Sequence, residues 1–458
     1  MRATHAGRVG RECSVTERIY VQAPEGTSRM KGIRTGDRQL IRDLNMSIVI
    51  GAIRRHGPIP RVDIARMTTL GRSTVSELTA ILLKEGFIRE IGSQEQEEKR
   101  RSLGRRPVLL EFNPRARFVA GVKLAPRMVS AAITDLEAEI LDTTEVPLDE
   151  KASEKAVRQQ VSRAIREVMS KSGTGIEKVV GIGVALPGIV DNRTGVSISP
   201  RFFLWQNLPL KHLLEEEFGI PVFIDNDANA AALGEKWRGR GREAENMVLV
   251  TVGVGIGGGI IINNQLYRGS VAGAGEVGHI TINEDGPECS CGNRGCLEAL
   301  ASDSAVEREM RSLVKAGAST AVVEVAGGDP ERITRAMIVE AAKAGDATAI
   351  GVVRTAGQHI GVGLASIVNI LNPEMIVVAG EAAQEAGDLL LDPIRETIAR
   401  RSMGVLAQRV EVVTSALGDR IWVTGAAALV LQDFFGVPIY ERGRPVAAVS
   451  LPELMQGS

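Results

Sequence analysis

Cysteine is scarce in this sequence, with four residues in 458. That is too few to staple a chain of this size through disulfides. Aromatic side chains make up 3% of the residues, which leaves little material for stacking surfaces. Net charge is nearly absent as well, because 55 Lys+Arg stand against 56 Asp+Glu. No export signal is legible: the first thirty residues hold Arg2, Arg8, Arg11, Arg18 and Arg29 around no apolar core. One long uncharged window, Met247 to Tyr267, is broken by Gly253, Gly255, Gly257, Gly258 and Gly259 and then by Asn263 and Asn264. That composition reads as strand, turn, strand and not as a membrane helix. A cytoplasmic protein without a membrane span is expected.

What is present is ordinary for a folded chain: 44% hydrophobic and 24% charged residues. The length suggests two or three domains. The 50 glycines point to tight turns and small-residue packing. The near-zero net charge hides an asymmetry. Residues 1–112 carry 21 Lys+Arg and 13 Asp+Glu, a balance of +8, and the remainder carries 34 and 43, a balance of -9. A basic front end on an acidic body suggests a separate module that faces nucleic acid.

Residues 1–36 read as a flexible leader, rich in Gly, Arg and Ser and without periodicity. From Asp37, the positions Leu40, Ile41, Leu44, Ile48 and Ile53 follow a helical period, which Gly57-Pro58-Ile59-Pro60 ends. Arg61 to Arg66 predicts a short helix, Thr68 to Gly71 a turn, and Ser73 to Leu83 a second helix stopped by Gly86. Phe87 to Ile91 and Arg105 to Phe112 predict a two-stranded ribbon. Residues 37–112 thus have the pattern of a winged helix-turn-helix. The basic stretch Lys99, Arg100, Arg101, Arg105 and Arg106 would form the wing. Arg72, Ser73, Thr74 and Ser76 open the second helix of the motif, where contacts to DNA are made, and Arg105 and Arg106 are candidate wing contacts. Taken singly, each of these is equally a solvated basic or polar face.

Residues 113–458 change character. Strands are expected at 119–122, 129–133, 139–141, 179–186, 222–224, 375–378 and 410–413, with a hairpin at 247–262. Helices are expected at 154–170 and from 228, and helical structure from 303 to 370. A hairpin with a third strand, followed by helix and strand in alternation, occurs twice. That is an α/β architecture of two similar lobes.

Four clusters carry chemistry. His279, Cys289, Cys291 and Cys296 supply one imidazole and three thiolates, a donor set suited to tetrahedral zinc. Gly292 and Gly295 would let the loop fold back, and a closed shell of four ligands would make the zinc structural. The bland alternative is three incidental thiols near a histidine. Ile224-Asp225-Asn226-Asp227-Ala228-Asn229 ends an apolar strand in a polar cluster. There Asp227 could be a general base or a partner for sugar hydroxyls, and helix capping explains it as well. Glu276, His279 and Glu298 flank the cysteine loop and could grip a polyol, or the two acids could be solvated surface carboxylates. Thr251 to Gly259 could cradle phosphate on its backbone amides, or simply turn tightly. Its spacing fits neither a P-loop nor a dinucleotide fingerprint.

Together these residues resemble the ROK family, named for repressors, open reading frames and sugar kinases. The closer branch is that of sugar-responsive repressors of the xylose and N-acetylglucosamine type. The resemblance runs from about Asp37 to about residue 435. It is carried by the His279…Cys289-x-Cys291-Gly-x-x-Gly-Cys296-Leu-Glu298 signature, by Asn226 to Asn229, by Glu276 to His279, and by Gly188. The resemblance implies a winged helix-turn-helix followed by an actin-like, ribonuclease-H-like, two-lobed domain of the sugar-kinase type, with sugar in the cleft. Its implied sugar contacts are Asn226, Asp227, Glu276, His279 and Glu298, with Asp227 at the place of the kinase base. Zinc would be held by His279 and the three cysteines, with His279 serving metal and sugar through its two nitrogens.

The sequence departs from the kinase pattern where phosphate is held. The matching phosphate-loop stretch is Lys123-Leu124-Ala125-Pro126-Arg127-Met128, in which the Asp, both glycines and the Thr-Lys pair are gone and Pro126 removes an amide donor. Gly253-Val254-Gly255 lacks a hydroxyl, and Ala379-Gly380-Glu381 brings an acid to the nucleotide side. Gly71 also replaces the first serine of the family's recognition-helix pattern. Phosphoryl transfer depends on positioning phosphate and metal, so no useful ATP binding is expected. The expectation is a homodimeric or homotetrameric, DNA-binding regulator, most simply a repressor, that answers to a sugar. Sugar binding would close the lobes and reorient the DNA modules through residues 92–112. The rivals are an ATP-dependent hexose kinase with a DNA-binding head, and a regulator whose effector is a partner protein.

Overall fold

The computed structural model describes residues 38–91, 108–149, 152–199 and 202–436. The leader, Cys13, and residues 92–107 with Arg105 and Arg106 lie outside the described residues.

Helices α1 (Arg38–His56), α2 (Arg61–Thr68) and α3 (Arg72–Lys84) and strands β1 (Ile59–Pro60), β2 (Ile88–Ile91) and β3 (Leu109–Phe112) form the first module. The apolar stripes of the helices close one core through Val49, Ile50, Ile53, Ile64, Val75, Leu78 and Leu82. The sequence reading treats Ile59-Pro60 as a simple break. Instead it pairs antiparallel with Leu110 and Leu109 at the edge of a β1-β3-β2 sheet. An edge strand tolerates proline because its outward side needs no donor.

The first lobe contains β4 (Phe118–Ala125), β5 (Met128–Asp135), β6 (Ile140–Pro147), α4 (Glu154–Ser172), β7 (Val179–Leu186), β8 (Ile189–Asp191), β9 (Val196–Ser199), α5 (Leu210–Phe218) and β10 (Val222–Asn226). Strand β6 is longer than expected. Its residues alternate between half-buried and exposed over most of its length, which dilutes the apolar signal. The chain continues through α6 (Asp227–Arg238), β11 (Met247–Val252), β12 (Ile256–Ile262), β13 (Gln265–Tyr267), α7 (Leu297–Ala301), α8 (Asp303–Lys315), α9 (Val322–Val325), α10 (Arg335–Lys343) and α11 (Ala347–Leu371). It ends with β14 (Met375–Ala379), α12 (Glu381–Ala386), α13 (Asp388–Arg401), α14 (Gly404–Ala407), β15 (Glu411–Thr414) and α15 (Ile421–Phe435). The stretch read as helical from 303 to 370 is four helices, because Gly317, Gly327, Gly328 and Gly345 adopt positive φ between them.

The two large sheets share one plan. Their orders are β6-β5-β4-β7-β10 and β13-β12-β11-β14-β15. In each, three antiparallel strands are followed by two parallel ones. The chain is therefore a mixed α/β fold with two lobes of matching topology.

Helix α15 is buried nearly all round and binds the lobes together. A Cβ on Gly121 of β4 would lie 2.2 Å from the Val423 carbonyl oxygen, and one on Gly183 of β7 would lie 1.8 Å from that of Ala426. Only glycine permits this approach. On its other side, Gly425 meets the Ala230 carbonyl of α6 in the same way. The end of α15 also carries the first module: Phe87 sits 6.0 Å from Phe434 and Phe112 sits 5.9 Å from Phe435, ring centre to ring centre. Among the described residues, no helix is long and apolar enough to cross a membrane.

Candidate functional site

The polar clusters gather where parallel strands end, which is where open α/β sheets bind ligands. Asn226 closes β10 and Asp227 opens α6. Gly188 follows β7, Gly253 to Gly255 follow β11, and Glu381 follows β14.

Asn226 is the N-cap of α6. Its Oδ1 accepts from the amides of Ala228 at 2.9 Å and Asn229 at 3.3 Å. Its Nδ2 donates to the Gly188 carbonyl at 3.0 Å, which ties the end of β10 to the turn after β7. The side chain of Asn226 is thus engaged within the fold. Asp227 is half-buried, and its Oδ1 accepts from the Ala228 amide at 2.9 Å.

Three further segments converge on consecutive residues of β12. The Ile256 amide donates to Glu298 Oε2 at 3.1 Å. A Cβ on Gly257 would lie 3.1 Å from that of Ala228 on α6. One on Gly258 would meet both Val277 and the Gly275 carbonyl within 3 Å. Gly257 and Gly259 therefore admit α6 to one face of this strand, and Gly258 admits the Glu276 loop to the other. This supports the structural reading of the glycine run over the phosphate reading. The two acids divide: Glu298 is buried, at 4% exposed, while Glu276 is exposed.

His279 stands between the acids and the cysteines. Its Nδ1 lies 3.5 Å from Cys289 Sγ, and its Nε2 lies 3.8 Å from Glu276. Cys291 and Cys296 sulfurs are 3.7 Å apart, and the four candidate ligand atoms all lie within 4.8 Å of one another. A tetrahedral site with bonds of about 2.3 Å to sulfur has edges of about 3.8 Å between sulfurs, so the donor set fits. Gly292 at φ +91° and Gly295 at φ +64° make the reversal. Burial and the neighbouring thiols push the Cys296 thiol up to about 12. Deprotonating the three thiols together would call for a cation among them.

Sequence reasoning missed the supports beneath these groups. Arg268 Nε donates to the buried Asp225 at 2.7 Å, and the Asn229 amide donates to the other oxygen of Asp225 at 2.9 Å. A charged residue next to the end of an apolar strand was the available signal. Lys123, near the end of β4, lies with its Nζ 3.2 Å from the centre of the Trp422 ring. In the first module, Arg72, Ser73 and Ser76 are exposed and Thr74 is half-buried, opposite the core face of Val75, Leu78 and Leu82. Ser76 Oγ donates to the Arg72 carbonyl at 2.9 Å.

The ROK family model matches residues 119–433. A xylose repressor of Caldicellulosiruptor bescii is 34% identical over 405 residues, covering 88% of this chain and all of that one. The DNA-binding transcriptional dual regulator NagC of Escherichia coli is 31% identical over 396 residues, covering 86% of this chain and 94% of that one. The crystal structure of a ROK family transcriptional regulator, a homolog of the E. coli MLC protein, superposes with a TM-score of 0.76 at 28% identity, over 86% of this chain and 96% of that one. The family match spans both lobes and the His-Cys loop, and the repressor matches reach further than the family model does. By these measures the chain belongs to the ROK family.

Proposed function

We propose that the protein is a sugar-responsive, DNA-binding transcriptional repressor of carbohydrate genes, without kinase activity. The observation that carries this reading is the path between the two ends of α6. Its first residue, Asp227, stands in the cleft. Near its last turn, Trp237 lies under the Arg54 guanidinium of α1, 4.4 Å from ring centre to charge. Arg54 also lies 4.9 Å from the Phe435 ring and donates to Glu137 at 2.6 Å. Twelve residues at 1.5 Å each give a rod of about 18 Å from cleft to DNA module. This route runs through packed side chains, beside the linker near residues 92–112 expected from the sequence, of which 92–107 lie outside the described residues.

Sugar would sit among Asn226, Asp227, Glu276, His279 and Glu298. A hydroxyl-bearing ligand suits this site, because its O–H groups can donate to the carboxylates and its oxygens can accept from the imidazole. Asn226 is assigned the positioning of Asp227 as much as contact. Zinc would be held by His279 Nδ1 and the three cysteine sulfurs, leaving Nε2 toward Glu276 and the sugar. When bound it supplies charge neutralisation and a fixed loop, with no open position for chemistry. Operator DNA would meet Arg72, Ser73, Thr74 and Ser76, and also Arg105 and Arg106. A homodimer or homotetramer in the cytoplasm would present paired modules to a two-fold operator. Ligand acts by favouring one lobe arrangement over another, and operator affinity falls by that difference.

Titration calorimetry against aldoses, N-acetylated amino sugars and ATP tests the proposal, with operator-fragment anisotropy beside it. Sugar binding that weakens DNA binding, with no ATP binding, is the expected result. Transfer of phosphate from ATP to a hexose would overturn it in favour of the kinase, and the response to no sugar at all would favour a protein effector.

A further inference from the structure

One ammonium lies near the strand ends where the polar clusters gather. Lys123 sits near the end of β4, the central strand of the first sheet, with Nζ against the face of Trp422 at 3.2 Å. Carboxylates from four segments act on its charge: Asp227 at the start of α6, Asp419 before α15, Glu381 at the start of α12, and Glu145 on β6. The sheet register agrees, since Lys123 stands opposite Ser130, which stands opposite Glu145. Glu381 follows the central parallel strand of the second sheet, so the acids belong to both lobes. Arg335 also reaches Glu381, at 3.5 Å, but its guanidinium is committed to Asp303 at 3.1 Å and to Glu385.

Closing a cleft expels water and strengthens each repulsion between the acids left inside. An uncharged polyol brings no cation to offset this. We propose that Lys123 is the resident counter-cation of the cleft, a positioning residue that lets the two lobes close on an uncharged polyol with neither metal ion nor nucleotide. The inference rests on the reading of the cleft as a sugar site. It also narrows the ligand class. One ammonium against Asp227, Asp419, Glu381 and Glu145 leaves this region acidic, so polyanions such as a nucleoside triphosphate are repelled while neutral sugars are admitted. Burial lowers the Lys123 ammonium below its ordinary range, and the carboxylates of Asp227, Asp419, Glu381 and Glu145 act against that fall.

The test replaces the ammonium and offers magnesium chloride as a substitute. In the full-length protein, the wild type should show no change in unfolding midpoint with magnesium. Lys123→Met should melt lower, and should recover by about 3 °C in roughly 10 mM magnesium as the exposed acids recruit the ion. Lys123→Arg should behave as the wild type. Trp422 emission, assigned with Trp422→Phe, should shift in Lys123→Met and return with magnesium. A folded Lys123→Met that ignores magnesium overturns the proposal, as does a wild type that responds equally. If Lys123→Met does not fold, Lys123→Gln carries the same comparison. No readout here uses a sugar, so a failure of the sugar reading in calorimetry and a failure of the counter-cation are told apart.

Discussion

Arg268, itself half-buried, pairs with the buried Asp225, its Nε 2.7 Å from the carboxylate. The pair fastens the stretch after β13 to the end of β10, directly beneath Asn226 and Asp227. Removing one partner leaves an uncompensated buried charge, which typically costs about 3–5 kcal/mol. Arg268→Ala should therefore lower the urea midpoint of unfolding substantially. The double variant Arg268→Met with Asp225→Asn should regain part of the loss. A single variant as stable as the wild type would show that water replaces the guanidinium.

The DNA module offers a test by salt. Arg72 is exposed at the start of α3, away from the core face. If it neutralises one phosphate, Arg72→Ala should weaken binding to all sequences alike and reduce the slope of log affinity against log salt by about 1. Loss of sequence preference at an unchanged slope would instead mean that Arg72 reads a base.

Coupling between the sites can be measured apart from either site. Arg54→Met keeps apolar contact with Trp237 and Phe435 but removes the charge and the bond to Glu137. Sugar and operator should each still bind to the separate variant protein within about threefold, while the effect of one on the other shrinks from a coupling of typically about 5–150-fold toward none. Undiminished coupling would refute the α6 route.

Acidity should act through Glu235, which is fully buried in α6. It accepts from Ser415 Oγ and from the Arg240 amide at 2.9 Å. Burial pushes its carboxyl above the ordinary value. The native state then holds the proton longer than the unfolded chain, so this group's contribution falls as pH rises from the unfolded value through the folded one. Glu235→Gln, whose amide can accept from Arg240 and donate to Ser415, should stabilise by about 1 kcal/mol at neutral pH and by nothing below about pH 4. Urea midpoints at the two extremes decide it.

Metal removal is the fifth test. A chelator should extract zinc, lower the melting temperature and weaken sugar binding by about tenfold or more, because His279 loses its anchor. Cys296→Ser should mimic the chelator. Unchanged sugar affinity in stripped protein would separate the loop from the sugar site.

Much of this was legible beforehand because local signals were strong. The His279 to Cys296 spacing marked four side chains that the fold gathers within 4.8 Å, and the helical pattern marked α1 to α3. The strand Val179–Leu186 was read to its ends, since eight buried apolar and glycine residues leave no ambiguity. Three kinds of feature were not legible. Short amphipathic pieces such as β8 and β9 hold too few residues to show a period. Helix α15 carries little periodicity because it is buried on nearly every side. The partners of Lys123, Asp225 and Arg54 come from segments far apart in sequence, and no spacing rule brings Lys123 to Trp422 or Arg54 to Trp237.

Helix α15 touches its neighbours through bare backbone at Gly121, Gly183 and Gly425. Elsewhere in a protein, side chains between elements act as cushions that absorb small displacements by changing rotamer. Here that upholstery is missing. A rotation of one lobe would turn the helix like a shaft fixed in its bearing, and would carry the rings of Phe434 and Phe435 at its far end.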